Sequence, residues 1–131
     1  MIVGKTNFQA WLRKAEHDFL SIQNNISAEE TPWDVVCFHA QQAAEKILKA
    51  FIIYHGYTVE KTHDLIQLLS VCVNIEPSLI VLESDCQELN YYSVSSRYPD
   101  DLYEPDESDG RKMLDSAERI RESVLKLLPL K

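Results

Sequence analysis

Hydrophobic positions recur at helical spacing along most of this chain. Phe8, Leu12, Ala15, Phe19, Ile22 and Ile26 follow one another at steps of three and four, with Trp11 adjacent, and predict an amphipathic helix over 7–26. A longer run extends from Thr31 to Gly56. At about 100° per residue, Val36, Ala40, Ala43, Ile47, Phe51 and Tyr54 share one side, flanked by Cys37, Ala44 and Leu48. His39, Gln42, Glu45, Lys46 and Lys49 make a narrow polar stripe opposite, with Phe38, Ile52 and Ile53 in it or at its edge. A helix apolar on most sides is central to its domain or also covered by a second subunit. The stripe has two readings: a solvated face, or a wall facing a ligand or partner chain. Thr31 is the expected N-cap, Pro32 the first helical residue, Asp34 the partner in a Thr-x-x-Asp cap, and Gly56 the stop. The link 27–31 is short enough to predict an antiparallel hairpin between the two helices.

Three further helices follow. Leu65, Leu68, Leu69 and Cys72 predict one through about 73, with Thr62 as N-cap and Asp64 in the first turn. Capping leaves His63 without a role. Pro77 opens a fourth helix to about 92 on Leu79, Leu82, Cys86 and Leu89. Met113, Ala117, Ile120, Val124 and Leu127 define a last helix over 108–128, closed by Pro129, with a basic exposed face of Arg111, Lys112, Arg119, Arg121 and Lys126. Between these two lies the one long aperiodic stretch, which joins Tyr91, Tyr92, Tyr98 and Tyr103 to Arg97 and a run of acids. Asp106, Glu107 and Asp109 read as complements of the last helix's N-terminus. Arg97, Tyr98, Asp100 and Asp101 are candidates for function, because long loops in compact domains concentrate it. A Mg²⁺ held by Asp100 and Asp101 is conceivable from oxygen-ligand chemistry alone.

Composition narrows the picture. The chain of 131 residues reads as one helical domain, core about 8–127. Its three glycines and five prolines punctuate the periodic runs without interrupting them, which favours an all-α fold of four or five helices. A net charge of −8 disfavours nonspecific binding to DNA or anionic membrane. Cys37, Cys72 and Cys86 sit on apolar helical faces, so reduced, buried thiols in a cytoplasmic protein are expected, and a cysteine nucleophile is not. No run approaches the length of a membrane span, and the N-terminal MIVGKTNFQAWLRK lacks the apolar core of a signal peptide. Phosphate-binding glycine loops, GxSxG, HExxH and CxxC are all absent. His17, His39, His55 and His63 make no local metal motif, and neither a metal nor a cofactor is expected beyond a nucleotide ligand.

Four blocks together resemble a known family. AEHDF at 15–19, CFHAQQAAEKILKAFIIYHG at 37–56, THDLIQLL at 62–69 and YYSVSSRYPDD at 91–101 look like a HEPN (higher eukaryotes and prokaryotes nucleotide-binding) domain over most of the chain. The resemblance implies an all-α up-and-down bundle of four to five helices, like the substrate-binding subunits of nucleotidyltransferases, often a homodimer. It also implies a small nucleotidyltransferase protein as partner, often in a toxin–antitoxin pair. Many members are metal-independent RNases with an Arg-x(4–6)-His motif. That motif is missing: three residues separate Arg13 from His17, and no histidine follows Arg97. The matching branch instead carries His39, Gln41, Gln42, Glu45, Lys46, His63, Asp64, Arg97, Tyr98, Pro99 and Asp100 as its signature.

The expected function is therefore that of a non-catalytic HEPN protein, binding nucleotide or RNA phosphate as the accessory of a nucleotidyltransferase. His39, Lys46, His63, Arg97, Tyr98 and Asp100 are its ligand-binding candidates. Arg97 and Lys46 would hold phosphate and Tyr98 would stack on a base. One alternative is an RNase toxin whose displaced active site uses His39, His63 and Arg97. Another is a structural dimerisation module. A purely structural use of His63 and Asp64, hydrogen-bonding the Arg-Tyr-Pro-Asp loop at 97–100 and locking helix ends together, competes with all of these.

Overall fold

The computed structural model describes residues 3–59, 61–95 and 104–129, without the side chains of 3–6 and 92–95. Helix α1 spans Val3–Ile26, α2 Trp33–Tyr54, α3 Leu65–Ile75, α4 Glu83–Ser95 and α5 Glu107–Leu125, with a 3₁₀ segment Pro77–Leu82 leading into α4. No strand occurs among the described residues. The all-α fold expected from the periodicity is the fold observed.

Helix α2 is the axis of the bundle and packs against all four other α-helices. Its alanines make this possible: Ala40, Ala43, Ala44 and Ala50 are fully buried and let neighbouring backbones approach closely. Ile47, Leu48 and Phe51 fill the space between, against Ile22, Leu65, Leu89, Met113 and Ile120. Each large apolar side chain so buried contributes about 1.5–3 kcal/mol. Phe8 of α1 meets Tyr54 of α2 edge-on, with ring centroids 5.0 Å apart, so the start of α1 lies against the end of α2, as an antiparallel hairpin requires. α4 and α5 are also antiparallel, because Asp85 pairs with Arg119 while Glu88, further along α4, pairs with the earlier Lys112.

Several boundaries differ from expectation. Thr31 does not cap α2; its hydroxyl donates to the Ile26 carbonyl at the end of α1. Pro32 takes the N-cap position in extended conformation instead of the first helical position. Asp64, not Thr62, caps α3, because its carboxylate reaches the amides of Ile66 and Gln67. Thr62 supports that cap by accepting from the Asp64 amide. α3 also continues two residues past the expected end, to Ile75. The predicted fourth helix is split, since Pro77 opens a tighter 3₁₀ turn before α4 begins. At the C-terminus Leu127 is exposed and Leu128 is buried in its place. The chain leaves α5 through bonds three residues apart, from Leu127 to Val124 and from Leu128 to Leu125, and this tighter winding shifts the inward position by one. Gly56 does end the second hairpin arm, at φ +87°. Asp106 and Asp109 form a reciprocal capping box at α5, so the acids read as complements of this helix's N-terminus do sit there.

Two of the three apolar residues read at the edge of the α2 stripe are covered by this chain itself. Ile52 is buried and Ile53 packs on the core, so this chain covers both; Phe38 alone of the three stays exposed. The basic face of α5 is likewise spent within the chain. Arg111 pairs with Glu107, Lys112 with Glu88, Arg119 with Asp85, Arg121 with Glu16 and Lys126 with Glu122. Cys37, Cys72 and Cys86 are free thiols in the core, and burial pushes each up to about 12. No helix among the described residues is long and apolar enough to cross a membrane.

Candidate functional site: a polar network along α2

The polar stripe of α2 is largely withdrawn from water. Glu45 and Lys49 are buried, at 4% and 6% exposure, as is the neighbouring Gln41 at 2%, while His39, Gln42 and Lys46 are half-buried. Charged groups taken out of water need partners, and the structure supplies them through two carboxylates.

The first is Glu45. Its Oε2 accepts from Lys49 Nζ at 2.9 Å, one helical turn away. Its Oε1 lies 2.8 Å from His63 Nδ1 and accepts a longer bond from Gln41 Nε2 at 3.4 Å. Gln41 Nε2 also donates to the His63 carbonyl at 3.2 Å, and Gln42 Nε2 donates to Gln41 Oε1. Burial works to raise the Glu45 carboxyl, but the hydrogen bonds and charges of Lys49 and His63 outweigh it, and the group lies below its ordinary value. The Lys49 ammonium lies over the Trp11 ring of α1, 5.4 Å from its centroid. His63 itself has a side chain 60% exposed. A buried anion thus fixes one ring nitrogen while most of the imidazole faces outward. Orienting a histidine through one nitrogen sets what the other can do, as donor or as acceptor.

The second carboxylate is Asp18, on α1 and buried. Its Oδ1 lies 2.8 Å from His39 Nδ1 and its Oδ2 2.7 Å from Lys46 Nζ. Both partners come from α2, so the cluster ties the first hairpin together. The exposed Phe38 ring stands edge-on to His39, with centroids 5.4 Å apart. Lys46 and His39 share this one carboxylate, each on its own oxygen.

Beyond His63 the network crosses to α4. Asp64 Oδ1, already capping α3, accepts from Asn90 Nδ2 at 2.7 Å, and Asn90 Oδ1 accepts from the Leu65 amide at 2.9 Å. Of the structural role read for His63 and Asp64, the locking of helical ends is present, with α2 and α4 as the anchored elements, while the loop at 97–100 expected as their partner lies outside the described residues.

Of the candidate ligand-binding residues, Lys46 and His39 meet at Asp18, while His63 stands on its own carboxylate, Glu45. Arg97, Tyr98 and Asp100 lie outside the described residues, as do Pro99 and Asp101, the latter named with Asp100 for a Mg²⁺. Among the described residues no cluster of His, Cys, Asp and Glu could hold a metal ion. Asp18 and Asn90 were absent from the candidate set. Asp18 carried a signal, since it falls in the AEHDF block just off the apolar stripe of α1. Asn90 carried a weaker one: asparagine is a poor interior helix residue, and its presence in α4 marks a side chain with a separate task.

Searches of curated proteins and of solved structures found no significant match. The family model described as HEPN domain matches residues 8–127, which takes in α1 from Phe8 onward, the whole of the other four helices and every residue of the polar network. On that span, the chain belongs to the HEPN domain family.

Proposed function

We propose that this HEPN protein binds the phosphate of a nucleotide or RNA at the outward face of His63, without cleaving it, and does so as the accessory partner of a small nucleotidyltransferase. One observation carries the binding part: an imidazole that is mostly exposed, yet held by a carboxylate that is almost fully buried. The cost of taking that anion out of water is offset by Lys49, Gln41 and His63 together, and of these three only His63 turns most of its side chain to the surface. With Nδ1 engaged by Glu45, Nε2 is the ring nitrogen left to meet a phosphate oxygen. Arg97 and Tyr98, which follow α4 in the chain, would add a bidentate phosphate contact and a stacking surface. Lys46 and His39 enter this reading as the support of the α1–α2 hairpin, because Asp18 already engages both. The partnership, and any toxin–antitoxin role, rests on the family resemblance, as does a homodimer.

Calorimetric titration with ATP and with single-stranded RNA tests the binding. The expected outcome is saturable heat in the wild type and its loss in His63→Ala. No heat at millimolar nucleotide would sink the reading. Co-expression with a small nucleotidyltransferase encoded beside this chain, followed by gel filtration, tests the partnership; separate elution would count against it.

An RNase reading is favoured by a different feature of the same geometry. Each of His39 and His63 is backed by a carboxylate, the arrangement that orients a general base. Cleavage of RNA in the presence of chelator, abolished by His39→Ala or His63→Ala, would establish that activity in place of the non-catalytic one.

A further inference from the structure

We infer that Asn90 is a positioning residue for His63. Its functional consequence rests on the phosphate-binding reading above, while its structural content stands apart from it. The His63–Asp64–Leu65 turn opens α3, and the first amides of a helix have no partner within it. Asp64 supplies two of them, through bonds from Ile66 and Gln67. The Leu65 amide is satisfied instead from α4, by Asn90 Oδ1 at 2.9 Å. The same side chain donates Nδ2 to Asp64 Oδ1 at 2.7 Å. Asn90 thus uses both ends of its amide on one turn of another helix.

The residue on the other side of Asp64 is anchored elsewhere. His63 gives its carbonyl to Gln41 and its Nδ1 to Glu45, both on α2. The backbone on either side of Asp64 is therefore fixed to two different helices. α2 sets the direction of the imidazole, and α4, through Asn90, sets where the turn that carries it can sit. Because the Leu65, Ile66 and Gln67 amides are all engaged, they are not free to take an anion. Recognition at this corner falls to the ring of His63, and a shift of the turn would misplace it. Asn90 touches no ligand in this arrangement; it acts through the turn.

Asn90→Ala in the full chain removes both bonds, and circular dichroism checks that the fold is kept. Two readouts then follow. Without ligand, hydrogen exchange at the Leu65 amide accelerates and the His63 ring resonances shift, while those of His39 on the Asp18 cluster stay in place. With ATP as probe, Asn90→Ala weakens binding by about five- to tenfold, the scale of one or two net hydrogen bonds. In a His63→Ala background the same change has less than about a twofold effect, because the two residues act through one contact. Unchanged His63 resonances and Leu65 exchange would overturn the positioning role. So would altered resonances with unaltered ATP affinity, which would make Asn90 merely structural. If wild type gives no ATP heat, the phosphate-binding reading falls, and the ligand-free readout alone decides whether Asn90 positions His63. Should Asn90→Ala fail to fold, Asn90→Leu, of similar branched shape, removes both bonds without leaving a cavity and is read in the same way.

Discussion

Glu45→Ala is expected to be among the most damaging single substitutions in this chain. The side chain removed is small, so the lost packing matters less than what is left behind. Lys49 is 6% exposed, and its only ion pair among the described residues is Glu45 at 2.9 Å. The nearby Trp11 face offers a weaker attraction, worth about 0.5–2 kcal/mol. Gln41 and His63 lose an acceptor at the same time. Removing one partner of a buried ion pair costs roughly 3–5 kcal/mol, a large part of the ~5–15 kcal/mol by which domains are stable. In urea, with a slope of about 2 kcal/mol per molar, the unfolding midpoint falls by roughly 1.5–2.5 M. Helical circular dichroism during urea titration measures it. The double variant Glu45→Leu with Lys49→Met separates charge from shape. It replaces both ions by apolar groups, and such exchanges are neutral or stabilising by about 1–4 kcal/mol. A Glu45→Ala loss below about 1 kcal/mol, or a double variant no more stable than the single, would refute the claim that an unpaired Lys49 drives the effect.

Other expectations follow from the same contacts. The Glu45 carboxyl lies below its ordinary value of 4.5, so the folded chain holds that proton less tightly than the unfolded one. Its contribution is complete above that ordinary value and is lost as pH falls through it toward the folded value; acid titration of Glu45→Gln should lack this component of the wild-type loss. Gly110→Ala would drive a methyl carbon into the Trp33 ring, and overpacking of this kind costs about 1–3 kcal/mol, read as a lower thermal midpoint. Asp106→Ala removes the α5 N-cap and should cost about 0.5–2 kcal/mol in the same assay. Cys37, Cys72 and Cys86, with thiols pushed up to about 12, should resist alkylation in the folded protein at neutral pH and react with iodoacetamide once it is unfolded; rapid labelling of the native chain would contradict their burial.

The division between local pattern and tertiary contact is visible in particular residues. Helical periodicity was enough to locate all five helices and most of the core, because an apolar stripe at steps of three and four has few other ways to be buried. The acids at the start of α5 were also readable as complements of its N-terminus, since Asp106 and Asp109 act within one turn of themselves, though the reciprocal box they form was not foreseen. The cap of α3 was misplaced by two residues because Thr62 and Asp64 are both good caps, and only the path of the turn between α2 and α4 selects Asp64. The stripe of α2 was visible as polar, but a helical projection does not tell water from a buried partner. That Glu45 and Lys49 lie inside, with His63 at the surface, depends on α1 and on the turn before α3 closing over that side. The pairing of Asp18 with His39 and Lys46 spans 21 and 28 residues, and that of Asn90 with Asp64 spans 26. Side chains so far apart in the chain have no local spacing to reveal them, and only the assembled bundle brings their charges within hydrogen-bond reach.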